Sequence, residues 1–149
     1  MKLVVADASC LITLDNVKET ELLRKFYHQV YVTPEVAAEV GNALPEWVDQ
    51  QASSNQSLID QLLPELEIGE ATSIALALEI PDCILIIDEK KGRREAKKLG
   101  IEITGTFGIV MRGLEDGLVA DPDSIVERLE NAGFRISKHL AQSMRETIH

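Results

Sequence analysis

"VVADASCLITL", residues 4–14, starts as an apolar run of strand length, meets a single carboxylate at Asp7, and continues through small residues into a helical pattern. An ionised carboxylate taken out of water without a partner is costly, so a buried strand that ends on one calls for a cation nearby. "CILIID", residues 83–88, repeats the arrangement and ends on Asp88. These two strand ends decide both the fold and where its chemistry lies.

Working outward, residues 2–6 read as a buried strand and "ASCLITLDN" as a short helix ending near Asn16. In "KETELLRKFYH", Leu22, Leu23, Phe26 and Tyr27 recur at helical spacing. "QVYVT" is a β-branched strand, after which Thr33 and Pro34 start the helix "PEVAAEVGN", with Gly41 and Asn42 to close it. Residues 45–64 are polar, bracketed by prolines, and predict an irregular crossing with one short helix. "IGEATSIALALEI" predicts a helix, "EKKGRREAKKLG" a charged helix, "IEIT" a strand and "TFGIVMRGLEDG" an amphipathic helix. Asp121 with Pro122, and then Ser137, start two terminal helices, "PDSIVERLENAG" and "KHLAQSMRETIH".

Strands alternating with helices predict an α/β class chain, a three-layer α/β/α sandwich with a central, mainly parallel sheet. The 149 residues suit a single domain over 1–149, with 121–149 a C-terminal helical extension packed on it. Leu129, Phe134, Ile136, Leu140 and Met144 of that extension would cover the sheet or the twin subunit of a homodimer, core packing being the expected use.

A net charge of −10 excludes a generally basic, nucleic-acid-coating surface, so a nucleic-acid ligand needs a local patch. Neither a signal peptide nor a membrane span is readable. Cys10 and Cys83 lie among apolar neighbours without metal or redox spacing, as buried thiols of a cytoplasmic protein do.

Ligands of parallel sheets bind beyond the carboxyl ends of the strands, which brings Asp7 and Asp88 to one edge. From Phe26 to Glu89 the chain has twelve acids and not one Lys or Arg, so a neutralising cation must come from elsewhere. The acids on apolar faces or at element ends are Asp7, Glu39, Glu70 and Asp88. Each has a plainer local explanation: a helix cap for Asp7, a turn or cap for Asp88, a first-turn dipole contact for Glu70, an exposed helical position for Glu39. Together, as oxygen-only donors without His or Cys, they describe a site for Mg²⁺ or Mn²⁺. Directly after Asp88 the sign reverses at Lys90, Lys91, Arg93, Arg94, Lys97 and Lys98, either a solvated helix face or a dock for a polyanion backbone.

"VVADASCLI", "VTPEVAAEV", "LEIGEATSIALAL", "LIIDEKKGRREAKKLGIEITGTFGIV" and "AGFRIS" resemble, in order and spacing, the PIN-domain nucleases, especially a subgroup close to the VapC-type toxins. The resemblance implies a Mg²⁺- or Mn²⁺-dependent endoribonuclease, with RNA as substrate, catalytic and metal-holding roles at Asp7, Glu39, Glu70 and Asp88, and support from Ser9. Toxin members of that subgroup add an antitoxin protein as a candidate partner, although no antitoxin-binding feature is readable here. Relatives commonly have Asp where this chain has Glu70, and Asp-Asp where it has Asp88-Glu89, which keeps Glu89 as a second candidate ligand. On this reading Lys90, Lys91, Arg93 and Arg94 bind RNA. The rival is a catalytically inactive PIN-like scaffold that binds RNA or a protein. A phospho-receiver domain fits worse, since Asp7 is followed by Ala8 and no Lys follows "IEIT".

Overall fold

In a computed structural model, describing residues 1–147, β1 (Lys2–Ala6) runs through the middle of a five-stranded sheet with its core side chains fully buried. It pairs in parallel with β2 (Tyr27–Val32) on one side, Val4 opposite Val30, and with β4 (Cys83–Ile86) on the other, Ala6 opposite Ile86. β3 (Asp49–Gln50) and β5 (Glu102–Thr104) complete the edges, giving the order β3-β2-β1-β4-β5, all parallel. Parallel strands need crossovers, and the helices that supply them cover both faces.

One face packs Val4, Ala6, Val30, Val32 and Ile86 against α1 (Ala8–Asn16), α2 (Glu21–Phe26) and α7 (Thr106–Glu115). The other packs Val5, Leu85 and Ile87 against α4 (Gln56–Leu62), α5 (Ile68–Glu79) and α6 (Lys90–Lys98). Alternate residues of one strand thus enter opposite cores, as the two-residue period of a strand requires. The result is the three-layer α/β/α sandwich that the strand–helix alternation predicts. α3 (Pro34–Val40) contacts both α1 and α5, and so reaches across the strand ends between the layers.

α8 (Pro122–Asn131) and α9 (Lys138–Glu146) add Ile125, Val126, Leu129, Ala141 and Met144 to the first core. Arg128 fastens them by donating to the Val17 carbonyl and by pairing with Glu19 at 3.0 Å. The helix predicted to run to His149 is seen to Glu146, and its last two positions fall outside the described residues.

Several element ends differ from expectation. The second strand starts at Tyr27, because the aromatic pair that looked helical divides there: Phe26 ends α2 and Tyr27 turns into β2. The stretch 45–64 holds its one short helix and also β3, a two-residue exposed strand too short for any periodicity. α5 starts at Ile68, and its cap, which no sequence signal marked, is Glu67, in a reciprocal box with Glu70.

β1, β2 and β3 build outward in one direction, and β4 and β5 in the other. The order therefore reverses between β1 and β4, at the carboxyl ends where Asp7 and Asp88 emerge, and such switch points open a crevice.

Candidate functional site

Asp7 follows the last residue of β1, its backbone amide donating to the Ile86 carbonyl at 3.0 Å, which locks it to the end of β4. It occupies the N-cap position of α1 with extended backbone, yet its side chain makes no capping hydrogen bond. The plain explanation of Asp7 as a helix cap therefore fails. The carboxyl is 7% exposed, and burial above all lifts its pKa from 3.8 to about 7. The Ala8 amide opposes that rise, while Glu70, Glu39 and Asp88 add to it.

Asp7 opens onto a cleft of about 370 Å³ lined also by Ser9, Glu39, Glu65, Glu67, Glu70, Glu89 and Lys91. Gly69 forms part of its floor, where a Cβ would sit 3.5 Å from Glu39 Oε1 and 3.6 Å from Asp7 Oδ1. Gly69 of α5 thus lies close to both Glu39 on α3 and Asp7 at the end of β1, with no side chain of its own to separate them from the helix. A buried hydroxyl pair, Thr33 with Thr72 at 2.9 Å, ties the start of α3 to α5 and holds that approach.

Glu70 has one oxygen in a capping contact and the other turned into the space between α5 and α6. Its Oε1 accepts from the Glu67 amide at 3.1 Å, the capping contact, while Oε2 points toward α6, 3.5 Å from where a Cβ on Gly92 would be. Burial raises its pKa, countered by the Glu67 amide, with Glu89, Glu67 and Glu39 raising it further.

Asp88 stands at the same edge in a different setting. Its Oδ1 accepts from the Thr106 amide at 2.8 Å and its Oδ2 from the Thr106 hydroxyl at 2.5 Å, while Ser9 Oγ lies 3.4 Å from Oδ2. α7 has Gly105 at its N-cap, which has no side chain to give, and Asp88 supplies the missing cap from across the sheet edge. The cap of α6 is Glu89, accepting from the Lys91 amide at 3.2 Å, so the local capping role expected of Asp88 belongs to its neighbour.

The basic helix does not act as one patch. Lys90, Lys91 and Arg94 are exposed, and Lys91 reaches the cleft. Arg93 is half-buried and donates from Nη1 to the Ile87 carbonyl at 2.7 Å, turned toward the strand end beside Asp88.

None of the ion pairs among the described residues involves Asp7, Glu39, Glu70 or Asp88. Carboxylates gathered at one edge without an ion-pair partner, two of them, Asp7 and Glu70, with raised pKa, suit a hard divalent cation by donor type. Among the described residues no three His, Cys, Asp or Glu side chains stand close enough together to hold an ion as placed, so the acids line the cleft rather than converge on one point. Glu67 and Glu89 are held by the caps they form, which leaves Glu39 and Glu65, exposed and with several rotatable bonds each, free to close on it.

Thr106, Gly105, Glu65 and Glu67 were not singled out from the sequence. A threonine opening a helix directly behind a glycine that cannot cap was the available signal for the first two. Among the described residues no helix is long and apolar enough to cross a membrane.

A search of curated proteins returns no match. Residues 3–149 match the profile of a family described as a PIN domain, a match that takes in every cleft residue described above. With an all-parallel sheet, a crevice at its switch point and acidic strand ends, the chain belongs to the PIN-domain family, a nuclease fold.

Proposed function

We propose that the protein is a Mg²⁺- or Mn²⁺-dependent endoribonuclease of the cytoplasm, close to the VapC-type toxin ribonucleases, hydrolysing RNA phosphodiester bonds at the Asp7 cleft. The observation that carries this reading is Asp7 itself: buried, uncapped, raised to about pKa 7 and surrounded by further carboxylates. A divalent ion, when bound, supplies the charge that activates water and offsets the negative charge developing on phosphate.

The chain's own groups divide the remaining work. Asp7, Asp88 and Glu70 hold the cation, Asp7 as the anchor because its backbone is fixed to β4. Glu39, on an exposed and mobile side chain, holds a second ion or orients the attacking water. Ser9 supports Asp88, and Glu89 is a further ligand on the α6 side. Lys91 at the cleft rim, with Lys90 and Arg94 outside it, receives the RNA backbone, and Arg93 backs the strand end from which Asp88 projects. In the toxin version of this reading, an antitoxin protein would cover the same cleft.

Incubating a mixed RNA pool with the protein tests the reaction. The expected result is cleavage with Mg²⁺ or Mn²⁺ and none with EDTA. Cleavage that survives the chelator sinks the metal mechanism, while metal binding without any cleavage supports the inactive scaffold instead.

The basic rim has its own signature. Changing Lys90, Lys91 and Arg94 together to glutamine should weaken RNA binding and flatten its salt dependence, by about 0.7 in slope for each single-strand phosphate that is no longer neutralised. Fluorescence anisotropy across a salt series reads this directly, and Mn²⁺ binding should not change.

A further inference from the structure

We propose that Thr106 is the residue that positions Asp88 at the strand edge beside the cleft, gripping both carboxylate oxygens from the first turn of α7. The inference rests on the metal-dependent reading above and assigns a role within it that the sequence does not reveal.

Three observations carry it. The Thr106 amide takes Oδ1 at 2.8 Å and its hydroxyl takes Oδ2 at 2.5 Å, a two-point grip that fixes the rotation of the carboxylate as well as its place. Thr106 is 0% exposed, so water cannot substitute for its hydroxyl, and its own position is set by the buried first turn of the helix. Gly105 leaves the room required: a Cβ there would stand 2.9 Å from both Asp88 Oδ1 and Arg93 Nη1.

Each oxygen of a carboxylate accepts in two directions, so donors on the α7 side leave the opposite lone pairs directed away from it. Ser9 Oγ, which lines the cleft, donates to Oδ2 at 3.4 Å and fills its second direction, so the acceptor direction left open is on Oδ1. A carboxylate on a freely rotating bond would lose orientational entropy on binding an ion, and the threonine removes that loss beforehand, as supporting hydrogen bonds do around metal ligands. Thr106 touches neither substrate nor ion on this account; it acts through Asp88.

The test uses Thr106→Val, which keeps the shape and removes the hydroxyl, and Thr106→Ser, which restores it. Calorimetric titration of Mn²⁺, well below the unfolding temperature, should show affinity falling about ten- to hundredfold in the valine variant and returning in the serine variant. RNA cleavage should lose kcat in the same order with KM little changed. Should the valine variant not fold, Thr106→Ser and Thr106→Ala, which differ by the hydroxyl alone, make the same comparison. Equal Mn²⁺ affinity with and without the hydroxyl overturns the positioning role and leaves the metal site standing. A parent protein that binds no Mn²⁺ overturns both.

Discussion

Asp7→Asn should make the metal-free protein more stable at pH 8 and, at the same time, lower RNA cleavage by at least about a hundredfold. The loss follows from removing the anchor of the cation site. The gain follows from linkage. The native carboxyl titrates near 7 and the unfolded one near 3.8, so between those values the unfolded chain has released a proton that the native state retains. Stability therefore falls as pH rises through that window and is lowest, and level, above about pH 7. Asparagine does not ionise and escapes the decline, a difference on the order of 4 kcal/mol at pH 8 and near zero at pH 3. Urea unfolding of both proteins at the two pH values measures it. Added Mn²⁺ should raise the melting temperature of the parent and leave that of the variant unchanged. A parent that is no less stable at pH 8 than Asp7→Asn would show that the carboxylate finds a partner within the chain.

Asp88→Ala should act in the opposite direction on stability, although the residue opens onto the same edge. Asp88 closes the first turn of α7, whose own N-cap glycine cannot, and removing such a cap costs about 1–2 kcal/mol. Asp88→Asn keeps an oxygen for the Thr106 amide and should recover part of that loss while remaining inactive. Two carboxylates of one sheet edge thus separate by the sign of their expected effect on the fold: Asp7 is buried without a capping bond, and Asp88 closes a helix. Thermal melts of the three proteins at pH 8 without metal decide this, and a stabilised Asp88→Ala would refute the capping role.

The sequence made Asp7 legible because its flanks are apolar on both sides, so the strand, its burial and the isolation of the charge could be read together. The alternation of strands and helices was legible for the same reason, as was the Thr33 cap, where the hydroxyl accepts from the Val36 amide as its position before Pro34 predicts. β3 was not, since Asp49 and Gln50 are exposed and polar and pair only because β2 offers its edge. Glu67 was passed over as the cap of α5 because glutamate is a weak signal there, and only its exchange with Glu70 makes it one. The support of Asp88 was half legible: a threonine behind a glycine that cannot cap marks the start of α7, but Thr106 is eighteen residues away and nothing local names Asp88 as the cap. The division of the basic helix was hidden too, because Arg93 and Arg94 are identical in type and only the packing of α6 on the sheet turns one inward and leaves the other in solvent.

What "VVADASCLITL" lacks is a counter-charge for Asp7, and titrating Mn²⁺ into the parent and into Asp7→Asn at pH 8 and pH 6 measures that lack most directly. The expected result is binding by the parent at pH 8, weaker binding with proton release at pH 6 as the ion displaces the proton from a carboxyl that titrates near 7, and no binding by the variant at either pH. A parent isotherm that Asp7→Asn leaves unchanged, or no binding by the parent at millimolar Mn²⁺, would contradict a metal centre built on Asp7.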